Sequence, residues 1–77
     1  MRIIQDVLDA MDKHIESNIT NDDYKPSTGF ESFCMIHSEL IQNESTRLIT
    51  SGFKDSVEIH ERLKKTYKNR YFMFISK

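Results

Sequence analysis

Hydrophobic positions recur along most of this chain with helical spacing, and only near its end do they merge into an unbroken run. Ile3, Ile4, Val7, Leu8, Met11 and Ile15 make one stripe, which predicts a helix over about residues 3–18. At about 100° per residue, Asp6, Asp9, Asp12 and Glu16 fall on the opposite side, so the helix is sharply amphipathic. Residues 18–27 then concentrate turn formers and hold the single proline, Pro26. They predict a loop, with Ile19 and Tyr24 pinning it to the core.

A second helix is expected over about 29–43 or longer. Thr28 and Glu31 have the spacing of a capping box, in which each side chain would satisfy an amide of the first turn. Phe30, Phe33, Cys34, Ile36, Leu40 and Ile41 share its apolar face, with His37 inside the arc. Glu44 falls in the same arc if the helix continues. Burying a carboxylate there is costly, so either the helix ends near Asn43 or Glu44 has a partner. Helical structure through Arg47, Leu48 and Ile49 would close at Ser51-Gly52, with glycine suited to a left-handed cap.

A third helix is predicted over about 55–68, opened by Asp55 and Glu58 at N-cap spacing. Ile59, Leu63 and Tyr67 form its inward stripe, extended by Phe53 and His60. Glu58–Arg62 and Glu61–Lys65 are i,i+4 pairs in the favourable order. Lys64, Lys65 and Lys68 sit near its expected C-terminal end, where cations favour the macrodipole, and Asn69 is the expected stop.

The run Tyr71-Phe72-Met73-Phe74-Ile75 is aromatic-rich and bounded by polar residues, the pattern of a strand over about 70–76. A lone strand cannot satisfy its backbone. Its partner is a short strand near Thr46–Thr50, the same strand in a second copy, or a strand of another protein. The expected fold class is therefore α+β, mostly α: three amphipathic helices and a C-terminal β-strand. No internal repeat or long linker divides the chain, so residues 1–77 read as a single small domain.

Size and composition narrow the functional classes. A chain of 77 residues buries only about 60% of its unfolded surface, which makes partner docking energetically useful. The one cysteine, Cys34, excludes an internal disulfide and suits a reducing compartment. No apolar run approaches the roughly 20 residues that span a bilayer. The first residues also lack the apolar core of a signal peptide. A cytoplasmic location is the resulting expectation.

Charge is segregated along the chain. Residues 1–44 carry nine acids against three bases, a net of −6, and residues 45–77 carry eight bases against three acids, a net of +5. Such asymmetry can steer a charged partner or let the two halves attract each other.

Candidate chemistry is sparse. Cys34 and His37 lie one turn apart, but a zinc site needs three or four ligands and no second dense pair exists. A Cys34/His37 nucleophile would need a deprotonated thiol and an orienting group such as Glu44, on a face expected to be core. Two glycines, Gly29 and Gly52, make no phosphate-cradling loop. The chain is thus read as a non-enzyme, without metal or cofactor.

What remains is interaction surface. The expected function is a protein–protein interaction module, an inhibitor or adaptor of a larger machine. It would contact its partner, or a second copy in a homodimer, through Tyr71, Phe72 and Phe74 of the strand and through Asp6, Asp9, Asp12 and Glu16. The alternative is a nucleic-acid binder using Arg62, Lys65, Lys68, Arg70 and Tyr71, where cations alternate with stacking rings. Against it stand the acids Asp55, Glu58 and Glu61 at the start of the would-be recognition helix. The isoelectric point near 6.3 also lies well below that of most nucleic-acid-binding domains.

Overall fold

The computed structural model describes residues 4–52 and 55–76. Over these residues the chain forms four helices: α1 (Gln5–Asn18), α2 (Pro26–Ile36), α3 (Ser38–Thr50) and α4 (Ser56–Ile75). Helix α4, at 20 residues, is about 30 Å long at 1.5 Å per residue. It sets the long axis of a body measuring 38 × 22 × 19 Å. The other three helices all pack against it. Asp12 meets Arg70 while His14 meets Tyr67, so α1 runs antiparallel to α4. Tyr24 of the preceding loop stacks near Tyr71, and α2 lays Phe30 against His60 and Tyr67 and Phe33 against Tyr67.

The core is one cluster: Val7, Met11 and Ile15 from α1, Phe30 and Phe33 from α2, Leu48 from α3, and Ile59, Leu63 and Tyr67 from α4. Full burial of each such side chain contributes about 1.5–3 kcal/mol relative to exposure, which carries most of the stability of so small a body. Helix α1 takes the stripe expected of it, with Ile4 and Leu8 at its margin. Ile3 and Phe53 lie outside the described residues. Ile19 and Tyr24 both pack onto the core and tether the loop. Asp55 caps α4, its Oδ1 accepting from the Glu58 amide at 2.8 Å. Gly52 takes φ +116°, just past the end of α3, where only glycine is unstrained.

The principal correction concerns residues 70–76, which are helix and not strand. No β-strand occurs among the described residues, and the architecture is all-helical, not α+β. Ile59, Leu63, Tyr67, Tyr71 and Phe74 continue one stripe at spacings of four, four, four and three. Tyr71 and Phe74 pack against the core from that stripe. Asn69 lies on the exposed side, where a polar residue stops nothing. The expected partner strand near Thr46–Thr50 is likewise helix, the last turn of α3. Lys64, Lys65 and Lys68 therefore sit in the body of α4 and gain nothing from its C-terminal dipole.

The expected second helix is two helices. His37 (φ −112°, ψ 36°) ends α2 and opens α3. Its N–H still donates to the Phe33 carbonyl, and its own carbonyl accepts from Ile41. Neither glycine nor proline marks this bend; the His37 ring packs on Phe33 there, centroids 4.9 Å apart. The capping box at Thr28 does not form, because α2 starts two residues earlier. Pro26 takes the first helical position, where its missing N–H costs nothing. The Thr28 hydroxyl instead donates to the Lys25 carbonyl at 3.3 Å.

Helix α3 does carry Glu44 into the interior, and the carboxylate has the partner that burial requires. Arg47 Nη2 donates to Oε1 at 2.7 Å and Arg47 Nε to Oε2 at 3.4 Å. The Glu44 side chain is 0% exposed and that of Arg47 is 45% exposed, so the pair conducts the buried charge to the surface. Bonding to Glu44 raises the Arg47 pKa above its already high value.

Candidate functional site

The last two turns of α4 show what a helix must do with five consecutive apolar residues. A helix rotates about 100° per residue, so only part of the run can face inward. Tyr71 and Phe74 turn in. Phe72, Met73 and Ile75 stay 46%, 57% and 47% exposed. Asn69, Phe72, Met73 and Ser76 line one shallow groove on this surface. Of the residues expected at the contact, Phe72 is therefore presented to solvent. Phe74 is half-buried, and Tyr71 is fixed between Tyr24 (centroids 5.5 Å apart) and Phe72 (5.6 Å). Met73 lines the same groove, whereas Ile75 is exposed on the other flank of the helix. Reading the segment as a strand hid them, although helical spacing from Tyr67 onward would have placed them outward.

The acidic face of α1 is divided. Asp6, Asp9 and Glu16 are exposed, with Asp9 accepting from the Gln5 amide at 2.9 Å. Asp12 instead faces α4, 3.6 Å from Arg70 Nε. The acidic and basic halves of the chain thus meet within one molecule at this pair. Because α1 is antiparallel to α4, Asp9 and Asp6 lie beyond Asp12 toward the C-terminal turns of α4.

The basic candidates split in the same way. Arg62, Lys65 and Lys68 are exposed and, with Lys64, Glu58 and Glu61, line a groove along α4. Neither Glu58–Arg62 nor Glu61–Lys65 closes to ion-pair distance, so the expected intrahelical pairs do not form. Arg70 is committed to Asp12, and Tyr71 to Tyr24. Lys64 and Lys68 also border a second groove with Pro26 and Ser27 at the start of α2.

A junction of rings lies beneath these surfaces and joins α1, α2 and α4. His14 packs against Tyr24, Phe33 and Tyr67, with centroids 6.2, 5.8 and 6.1 Å away. Burial lowers the His14 pKa, hydrogen bonding to the Gly29 backbone opposes that shift, and nearby His37 adds to it. Burial and then neighbouring Tyr71 push the Tyr24 phenol up to about 12. His14 Nε2 and the hydroxyls of Tyr24 and Tyr67 are buried without a hydrogen-bond partner.

At Cys34, burial first and Glu31 second raise the thiol pKa. That is opposite to what a nucleophile requires. Among the described residues, no group of three His, Cys, Asp or Glu side chains could hold a metal ion. Nor is any helix among them long and apolar enough to cross a membrane. The chain matches no protein-family model, and no curated protein or solved structure is significantly similar to it.

Proposed function

We propose that this chain is a non-catalytic cytoplasmic interaction module, an adaptor or inhibitor that binds another polypeptide through the C-terminal turns of α4. The observation that carries this reading is the exposure of Phe72 and Met73 together in one groove on the last turns of α4. Apolar side chains clustered beyond what a small body can cover mark interaction sites, whereas scattered ones do not. The exposed carboxylates Asp6, Asp9 and Glu16 on α1 would favour a partner that also carries basic residues. The raised thiol pKa at Cys34 supports a non-enzymatic role. The single cysteine suits the reducing cytoplasm.

The nucleic-acid reading has one observation in its favour: Arg62, Lys65 and Lys68 are exposed and unpaired on α4. It is weaker because Arg70 and Tyr71 are held within the fold. Acids also line the same groove.

The test is capture from lysate of the native source with nuclease present, comparing the tagged wild type with Phe72→Asp/Met73→Asp. The expected result is a nuclease-resistant protein retained by the wild type and at least tenfold depleted with the variant. Equal capture by both, or recovery of nucleic acid alone, would overturn the proposal. In the second case binding should also weaken steeply with salt, with a slope near −0.9 per phosphate contacted on duplex DNA.

A further inference from the structure

A row of rings joins the interior to the exposed groove on α4. His14 packs on Tyr24 with centroids 6.2 Å apart, Tyr24 on Tyr71 at 5.5 Å, and Tyr71 on Phe72 at 5.6 Å. Each spacing lies within the range of an interacting aromatic pair. The row begins at a half-buried imidazole and ends at a residue that lines the groove.

The imidazole end suits the neutral ring alone. Phe33 of α2 and Tyr67 of α4 pack on it as well, centroids 5.8 and 6.1 Å away. The ring hydrogen-bonds to the Gly29 backbone. Its Nε2 is buried with no hydrogen-bond partner among the described residues. A protonated imidazole carries two N–H donors, so one of them would be buried unpaired on a charged group. The groups that face the ring do not offset that charge. His37, at the bend between α2 and α3, repels it. The Tyr24 phenol, pushed up to about 12, stays neutral. Tyr67 presents a hydroxyl. On α1 itself Asp12 is turned about 200° from His14 and lies against Arg70 of α4.

We infer that proton uptake at His14 releases Tyr24 and, through Tyr71, unseats Phe72, so that the contact surface is acid-sensitive. This rests on Phe72 being part of the interaction surface, and goes further by naming what regulates it. Val7, Met11 and Ile15 are fully buried and keep α1 docked when the His14 ring leaves its site. Tyr24 is held more lightly. It belongs to the loop between α1 and α2, and its ring rests on His14, Tyr71 and the backbone of Gly29. Loops with few buried contacts open at the lowest free energy, so Tyr24 is the part that gives. Tyr71 then keeps only one of its two ring neighbours, and Phe72 loses a fixed support. Burial holds the His14 pKa below 6.5, so the row is closed at neutral pH and opens in acid.

The first test needs no partner. NMR of the whole chain from about pH 8 to about pH 5.5 follows the rings of His14 and Tyr24 and the ring and amide of Phe72. The Phe72 resonances should shift with the midpoint of the His14 ring. That shift should be lost in His14→Gln and kept in His60→Gln, because the His60 ring lies on Phe30 instead. Tyr24→Leu breaks the row, and should abolish the shift at Phe72 while the His14 ring still titrates. Circular dichroism checks that each variant keeps its helices. Where one does not, the wild type decides: Phe72 should follow His14, and Val57 at the opposite end of α4 should not.

Phe72 resonances that ignore the His14 titration overturn the inference, as does a shift that survives His14→Gln or Tyr24→Leu. The second test is capture from lysate at the two ends of the same pH range. Wild-type capture should fall in acid by about two- to tenfold, the range one aromatic pair carries, and that of His14→Gln should not. Capture that needs Phe72 and Met73 but is equal at both pH values overturns the regulation and leaves the interaction-module reading standing. Capture indifferent to Phe72→Asp/Met73→Asp overturns that reading, and the regulation with it.

Discussion

Gly29→Ala should lower the stability of this protein, although the same change in an ordinary helix raises it. Alanine within a helix gains about 0.8–1 kcal/mol over glycine. Gly29 has an ordinary helical backbone, and its amide donates to the Lys25 carbonyl at 2.7 Å, so that gain is available. The obstacle is Tyr24. A Cβ at position 29 would lie 2.6 Å from Cε2 of its ring and closer still to Cζ and the hydroxyl.

The ring cannot swing aside without cost, because it sits between His14 and Tyr71. Aromatic pairs of this kind are worth about 0.5–1.5 kcal/mol each, and overpacking typically costs about 1–3 kcal/mol. The clash therefore outweighs the propensity gain, leaving a net loss of up to about 2 kcal/mol. For a domain of this size 1 kcal/mol corresponds to roughly 4–8 °C in Tm. In a Tyr24→Ala background the obstacle is gone, and Gly29→Ala should then stabilise by up to about 1 kcal/mol. Thermal and urea unfolding of the four chains of this cycle measure the coupling, expected to be about 1–3 kcal/mol. If Gly29→Ala raises Tm in both backgrounds, the packing of Tyr24 on α2 is wrong.

Three further outcomes follow from the interior. The folded state holds the His14 pKa below its ordinary 6.5, so the unfolded chain takes up that proton first. Stability contributed by neutral His14 is thus complete above about 6.5, is lost as pH falls below it, and levels off once folded His14 is also protonated. His14→Gln should flatten this part of a Tm–pH curve measured between pH 8 and 5.5, and an unchanged slope would contradict the assignment. Tyr67→Phe should leave Tm equal or higher, because it deletes a buried hydroxyl that has no protein partner. A loss above about 1 kcal/mol would reveal a hydrogen bond there. Arg47→Met should lower Tm more than Glu44→Met, since the first strips the buried carboxylate of its observed partner while the second leaves a half-exposed cation at the surface. The reverse ranking would show that Glu44 is not held as described.

Much of the interior was legible in the spacing of apolar residues. Val7, Met11 and Ile15, and then Ile59, Leu63 and Tyr67, fall at four-residue intervals, and all six are fully buried. The Asp55 cap and the glycine turn at Gly52 follow from local chemistry that tertiary packing leaves intact. The question posed by Glu44 was legible too, because a carboxylate on an apolar arc demands either a helix end or a cation. The bend at His37 was not, since the apolar arc continues past it from Phe33 to Ile41 and no helix breaker marks the junction.

The terminal segment misleads for a physical reason that also bears on function. Strand propensity measures how well a side chain fits a pleated, half-buried surface, and aromatic residues score highly by it. Here the decisive term is tertiary. By remaining helical, α4 adds Tyr71 and Phe74 to the stripe that already buries Ile59, Leu63 and Tyr67, whereas a strand would have stranded its backbone polar groups without a neighbour. The residues left over, Phe72, Met73 and Ile75, contribute nothing to that core and face solvent. Helical propensity does not explain them either, since Phe, Tyr and Ile are only middling helix formers. Folding alone would tolerate polar residues at all three exposed positions and would be more soluble for it. Apolar side chains there are what the proposed interaction surface requires. The same three positions that defeat a local reading of the sequence are therefore the ones through which the function is most directly tested.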